Sequence, residues 1–125
     1  MTKSAASPAP FTGEVLAATP AVRPDVTVIH AQKADSKGNV LLWGILGVQK
    51  EAVLAAKRAI VTVEERVQTL DAAPNACVLP SWIVRAVCGE PHGATPSYTH
   101  GYYERDNAFY RAWEKISRDR EQFAT

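Results

Sequence analysis

Between His30 and Asn39 the chain reads His-Ala-Gln-Lys-Ala-Asp-Ser-Lys-Gly-Asn, which sets an imidazole, two amides and a carboxylate within one short stretch. His30 is an acid–base group near neutral pH. Gln32 and Asn39 both donate and accept hydrogen bonds, and Asp35 accepts them. Gly38 allows either a tight turn or the close approach of backbone to a ligand. Apolar runs flank the stretch, Val26–Ala31 before it and Val40–Trp43 after it. In open α/β sheets ligands gather outside the carboxyl ends of strands, so His30 to Asn39 is expected to rim a crevice. The alternative is that Asp35 and Asn39 only close a turn, and that His30 is a core histidine with its hydrogen bonds met.

Other polar residues carry less. Glu64 and Glu65 finish an apolar strand and read as strand-end or cap carboxylates rather than nucleophiles. Lys33, Lys37 and Arg23 offer positive charge near the crevice, either for phosphates or simply for water. His100, Tyr102 and Tyr103 either cover the core or face a subunit interface. The three histidines lack metal-site spacing, so no metal is expected. Trp43, Trp82 and Trp113 read as packing residues. Cys77 and Cys88 are too far apart for a Cys-x-x-Cys motif and lie among apolar neighbours, so buried, reduced thiols are expected.

These residues need a frame. Residues 1–24 are rich in proline, alanine and serine and read as an irregular arm, leaving 25–125 as the folded part. Val26–Ala31 is β-branched and apolar at successive positions, as in a strand covered on both faces of a parallel sheet. Ser36–Asn39 is a turn signal. Val48–Arg58 is rich in helix formers, and Ala59–Val63 is a second β-branched strand, so a strand–helix–strand unit with a right-handed crossover is expected. Glu64–Leu70 reads as a short helix or turn, and Ala76–Leu79 as a strand stopped by Pro80. Ser81 is placed to cap a short helix over Trp82–Cys88. Gly89–Ser97 is a loop by composition. A last helix from about Arg105 aligns Phe109, Trp113 and Ile116 on one face. The expected fold class is α/β, a partial parallel sheet of three to four strands with flanking helices. So few strands need cover, and the last helix is still periodic at Thr125, so part of a larger fold is expected.

Composition excludes several classes. The 125 residues fit one domain, and 46% of them are hydrophobic, so a packed core rather than disorder is expected. A net charge of +1 with interspersed signs gives no nucleic-acid or membrane-attracted face. No apolar run is long enough for a transmembrane helix. The start, MTKSAASPAP, lacks the apolar core of a secretory signal, so a cytoplasmic location is expected.

One stretch adds an identity of type. RPDVTVIHAQKADSKGNVLLWGILGVQKEAVLAAKRAIVTVEE resembles the alpha subunit of family I coenzyme A transferases, closest to the glutaconate CoA-transferase type. The pattern is Ala31, Ala34, Asp35, Gly38 and Asn39, followed by Thr-Val-Glu-Glu at 62–65. Later Val-Leu-Pro-Ser, Pro-Ser-Tyr and Gly-Tyr-Tyr-Glu-Arg-Asp-Asn segments fit the same branch, and the likeness runs from about Phe11 to the end. The resemblance implies that coenzyme A moves between an acyl-CoA and a carboxylic acid by a ping-pong route. The family's nucleophilic glutamate sits on a beta subunit, so no catalytic residue is expected in this chain, and the chain alone is expected to be inactive. Coenzyme A is then a substrate, with no cofactor, and the partners are the beta subunit, an acyl-CoA and a carboxylate. His30, Gln32, Asp35, Gly38, Asn39 and Ser97 are the implied pocket candidates. Two departures stand out: the family's glycine-rich amino-terminal half is missing, and Thr95 occupies a place where relatives carry histidine in Gly-Ala-His-Pro. The chain therefore reads as the carboxy-terminal half of an alpha subunit. Two alternatives are a non-catalytic remnant or binding subunit, and a ring-opening hydrolase of CoA-linked intermediates. The broader fold is shared with sugar-phosphate isomerases, to which the residues match less well.

Overall fold

A computed structural model describes residues 4–119. A five-stranded mixed sheet carries the core, in the order β6-β4-β3-β5-β7. Strands β3 (Thr27–Ala34) and β5 (Ala59–Arg66) are its parallel centre, in register from Thr27 opposite Ala59 to Ala34 opposite Arg66. Strand β7 (Val84–Gly89) lies parallel to β5 at one edge. Strands β4 (Val40–Leu42) and β6 (Cys77–Leu79) complete the other side, each antiparallel to its neighbour. The α/β class holds, with one more strand than expected and one of the five, β4, running against the other four. The reason is local: only a tight turn separates β3 from β4, and a parallel return needs a crossover of a dozen residues or so.

Period-two alternation fixes what each strand buries. Along β5, Ala59, Val61 and Val63 point inward and are fully buried, joined by Ile29 and Ala31 of β3, Val40 and Leu42 of β4, and Leu79 of β6. Helix α1 (Gln49–Ala55) lies between β4 and β5 and sets Val53 into this core, while the Thr27 hydroxyl donates to Ala52 O at 2.9 Å. The strand expected to be covered on both faces is open at its start, where Val28 is 67% exposed.

Several local expectations change. The segment after Val63 stays extended through Arg66 instead of turning helical, because each glutamate finds partners on its own face of the sheet. Glu65 pairs with Lys33 at 3.0 Å and accepts from the Tyr102 hydroxyl at 3.1 Å. Trp82–Cys88 is not a helix capped by Ser81: β7 forms there, packs Val84 and Val87 on the core, and leaves Trp82 exposed. It is the Ser81 amide that is engaged, donating to Asn39 Oδ1 at 2.9 Å. Cys88 is exposed and Cys77 half-buried, both as free thiols, so the expectation of two buried cysteines fails. Cys88 belongs to the edge strand, where one face stays open.

Within the proline-rich arm, β1 (Ala5–Pro8) and β2 (Val15–Ala18) form an exposed antiparallel hairpin that pairs with no other described strand. Helix α2 (Asn107–Ile116) begins where Asp106 accepts from the Phe109 amide at 2.8 Å, and it buries no residue. The expected continuation of this helix to Thr125 lies partly outside the described residues. No described helix is long and apolar enough to cross a membrane.

Candidate functional site

His30 and Gln32 sit two residues apart on β3 and therefore share a face, not with the core but with the polar side of β5. His30 Nδ1 lies 2.8 Å from Thr62 Oγ1, its register partner, and Nε2 donates to Glu64 Oε1 at 2.6 Å. Glu64 is the hub of this face, with its side chain only 3% exposed. The Thr99 hydroxyl also donates to Oε1 at 2.9 Å, and the His92 amide donates to Oε2 at 2.8 Å. Tyr103 Oη lies 2.9 Å from Thr99 Oγ1 and accepts from the Ala94 amide at 2.9 Å. Burial raises the pKa of Glu64, but the His92 amide, His30, Tyr103 and Thr99 together outweigh it and bring the carboxyl down to about 2.

This carboxylate holds a strap, residues 90–103, across the sheet. The strap passes close over His30: a Cβ on Gly93 would lie 2.9 Å from the His30 ring and from Glu90 O, so only glycine fits there. Tyr103 stacks on His92 with centroids 4.5 Å apart. Tyr102 reaches Glu65 on the far side, where burial, then Glu65, pushes its hydroxyl up to about 12. Lys33, and after it Tyr102, lowers Glu65 below the ordinary carboxylate range.

Between strap, β3, β4 and the start of α1 lies a cavity of about 200 Å³. His30, Gln32 and Ser97 line it together, with Trp43, Gln49 and His100 beside them. Gln32 is buried and doubly fixed: its amide donates to Trp43 O at 2.9 Å and its oxygen accepts from the Trp43 amide at 3.3 Å. Leu42, Ile45 and Leu46 supply apolar wall. The space accepts a short carbon chain with a polar end.

The rest of the expected rim lies elsewhere. Asp35 Oδ1 accepts from the Lys37 and Asn39 amides at 2.9 and 2.8 Å, and Oδ2 from the Asn39 side chain at 2.7 Å. The Asn39 side-chain amide, against the effect of burial and with both backbone amides, holds Asp35 below the usual carboxylate range. Gly38 has φ of +86°, a left-handed turn conformation that explains the glycine better than ligand approach does. Asp35 and Gly38 border a separate open groove with Lys37, Arg66 and Arg85, and Asn39 lines neither space. The turn reading thus describes Asp35, Gly38 and Asn39, whereas His30, Gln32 and Ser97 converge on the cavity. Lys33 is tied to Glu65, which leaves Lys37 as the one expected phosphate-facing cation on that groove.

Sequence reasoning missed Glu64 as the organiser and gave Gln49 and Thr99 no role in the site. One signal was available: Thr62 and Glu64 share the two-residue period of His30 and Gln32, so both strands present polar groups to the same side.

Comparison with known proteins places this geometry. The coenzyme A transferase family model matches residues 7–90. The chain is 75% identical over 114 residues to the alpha subunit of 3-oxoadipate CoA-transferase from Pseudomonas knackmussii, covering 91% of this chain and 40% of that one. It is 37% identical over 113 residues to the alpha subunit of glutaconate CoA-transferase from Acidaminococcus fermentans, covering 89% and 35%. The chain therefore spans about two fifths of the length of these curated relatives. Among solved structures, glutaconate coenzyme A-transferase from Acidaminococcus fermentans superposes with a TM-score of 0.77 at 32% identity, over 98% of this chain and 39% of that one. A variant of the decarboxylase AibA/AibB superposes at 0.75, also at 32% identity, over 97% and 44%. With the family model covering most of its length and the fold agreeing throughout, the chain belongs to the coenzyme A transferase family.

Proposed function

We propose that this chain forms one wall of the acyl pocket in a two-subunit coenzyme A transferase, moving coenzyme A between an acyl-CoA and a carboxylic acid. The nucleophilic carboxylate comes from the partner, a beta subunit, and passes through a mixed anhydride to a glutamyl-CoA thioester. Coenzyme A is a substrate and the chemistry needs no further cofactor. The observation that carries this reading is the state of Glu64. Its carboxylate is bonded to the cavity-lining His30 and Thr99, yet it lies under the strap with both oxygens engaged and its pKa brought down to about 2. Such a carboxylate is a weak and inaccessible nucleophile, so this chain offers walls and leaves the attack to another group. The relatives named for 3-oxoadipate and glutaconate, both dicarboxylic acids, support a dicarboxylic acyl group. The cytoplasmic location and the pocket roles of His30, Gln32 and Ser97 belong to the same proposal. Of these, His30 and Gln32 act as fixed wall and Ser97 as a contact.

The test is to trap the intermediate. The chain is co-purified with the matching beta subunit, incubated with acyl-CoA alone and analysed by mass spectrometry. Coenzyme A bound as a thioester is expected on the beta subunit, with this chain unmodified and inactive by itself. A thioester on Glu64 sinks the assignment, as does absent exchange where a full-length alpha-subunit control is active.

A further inference from the structure

The polar side chains around the 200 Å³ cavity fall into two sets. His30, Gln32 and Thr99 have their hydrogen bonds met within the protein. Among the described residues Gln49, Ser97 and His100 do not: Gln49 Oε1 is fully buried with no partner, while the half-buried Ser97 hydroxyl and the exposed His100 ring face the space with no side-chain hydrogen bond. Native interiors leave few buried polar atoms unpaired, and those that remain call for a ligand or a water. A half-turn of the Gln49 amide exchanges its oxygen and its NH2 with little change of shape, so the same position can donate. Gln49 N–H, Ser97 O–H and the His100 ring N–H then form three donors on one small space, walled by Leu42, Ile45 and Leu46. That set suits a carboxylate, whose two oxygens accept several bonds at once, standing at the end of a short apolar chain. Among the described residues no lysine or arginine lines the cavity, so the hydrogen-bond donors of Gln49, Ser97 and His100 would hold it.

We propose that Gln49 is the specificity-determining residue of this cavity, selecting, with Ser97 and His100, acyl chains that end in a second carboxylate. The inference rests on the acyl-pocket reading above and names the group that the pocket reads.

The experiment is a titration of the 15N-labelled 125-residue chain with glutarate and with pentan-1-ol, the same carbon chain carrying no carboxylate. Glutarate is expected to shift the Gln49 side-chain NH2 signals and to bind about tenfold more tightly, the scale of one hydrogen bond to a charged group. Gln49→Met, close in shape but without the amide, is expected to abolish that preference. Ser97→Ala, a change on the strap that keeps the frame intact, should weaken glutarate several-fold and so narrow the preference. Equal binding of the two ligands, no binding of glutarate, or a preference that survives Gln49→Met overturns the proposal. Thioester exchange by the assembled subunits separates this inference from the reading beneath it. Active exchange whose acid preference ignores Gln49→Met removes the Gln49 inference alone. A Gln49-dependent preference for glutarate without exchange leaves this site standing and removes the transferase reading.

Discussion

Glu64 gathers its environment into one titration. Its folded pKa of about 2 lies below the ordinary 4.5, so the folded state favours the carboxylate, and that contribution is fully present above pH 4.5. It is lost as the pH falls from about 4.5 to about 2, where the native carboxylate takes up its proton. Urea unfolding across that window should show stability falling with pH, and Glu64→Gln should flatten the fall. At neutral pH the same substitution should cost about 1.5–3 kcal/mol, the range for hydrogen bonds to a charged group. Little of this is legible in the sequence. The alternation of β5 marks Glu64 as facing the same way as His30, but Thr99 and the His92 amide arrive from a strap more than twenty residues away. No local signal marks such long-range partners.

At the scale of elements, the β3–β4 turn and the strap obey different rules. The turn closes on itself: Asp35 collects three donors from Lys37 and Asn39, and Asn39 ties the turn to Ser81 before β7. Asn39→Ala removes both side-chain bonds and should destabilise by about 1–3 kcal/mol in chemical denaturation. Ser36→Ala, losing only an exposed bond to Gln68 O, should move stability by less than about 0.5 kcal/mol. Gly93→Ala forces a methyl against the His30 ring and should cost about 1–3 kcal/mol by overpacking, with the His30 ring signals displaced in NMR spectra. The turn was readable from Asp-Ser-Lys-Gly-Asn, because its chemistry is contained in neighbouring residues. The strand β7 was not: Ile83, Val84 and Val87 have an apolar spacing that a short helix shares, and only pairing with β5 decides between them.

For the molecule as a whole, the parallel pair β3–β5 is the stable centre; among the described residues the hairpin β1–β2 pairs with no strand of the main sheet and helix α2 buries no residue. The hairpin β1–β2 is two strands with every residue exposed, a size marginal on its own in water. Hydrogen exchange should therefore protect Ile29–Ala31 and Val61–Val63 for longest, while amides of Ala5–Ala18 exchange near the rate of an open chain. Protection of the hairpin equal to that of the centre would contradict this hierarchy. The α/β class, the two central strands and the family were legible because they depend on short β-branched runs and one dense motif. The reversed strand β4, its pairing with β6 and the edge strand β7 depend on how connections close in space.

The strap's clamp on Glu64 keeps the frame rigid while Gln49, Ser97 and His100 carry none of that duty. On the proposed reading, retailoring such a protein to a different acid is therefore a problem of exchanging a few tenants rather than rebuilding the house: changes at those three positions would alter the menu without loosening the walls.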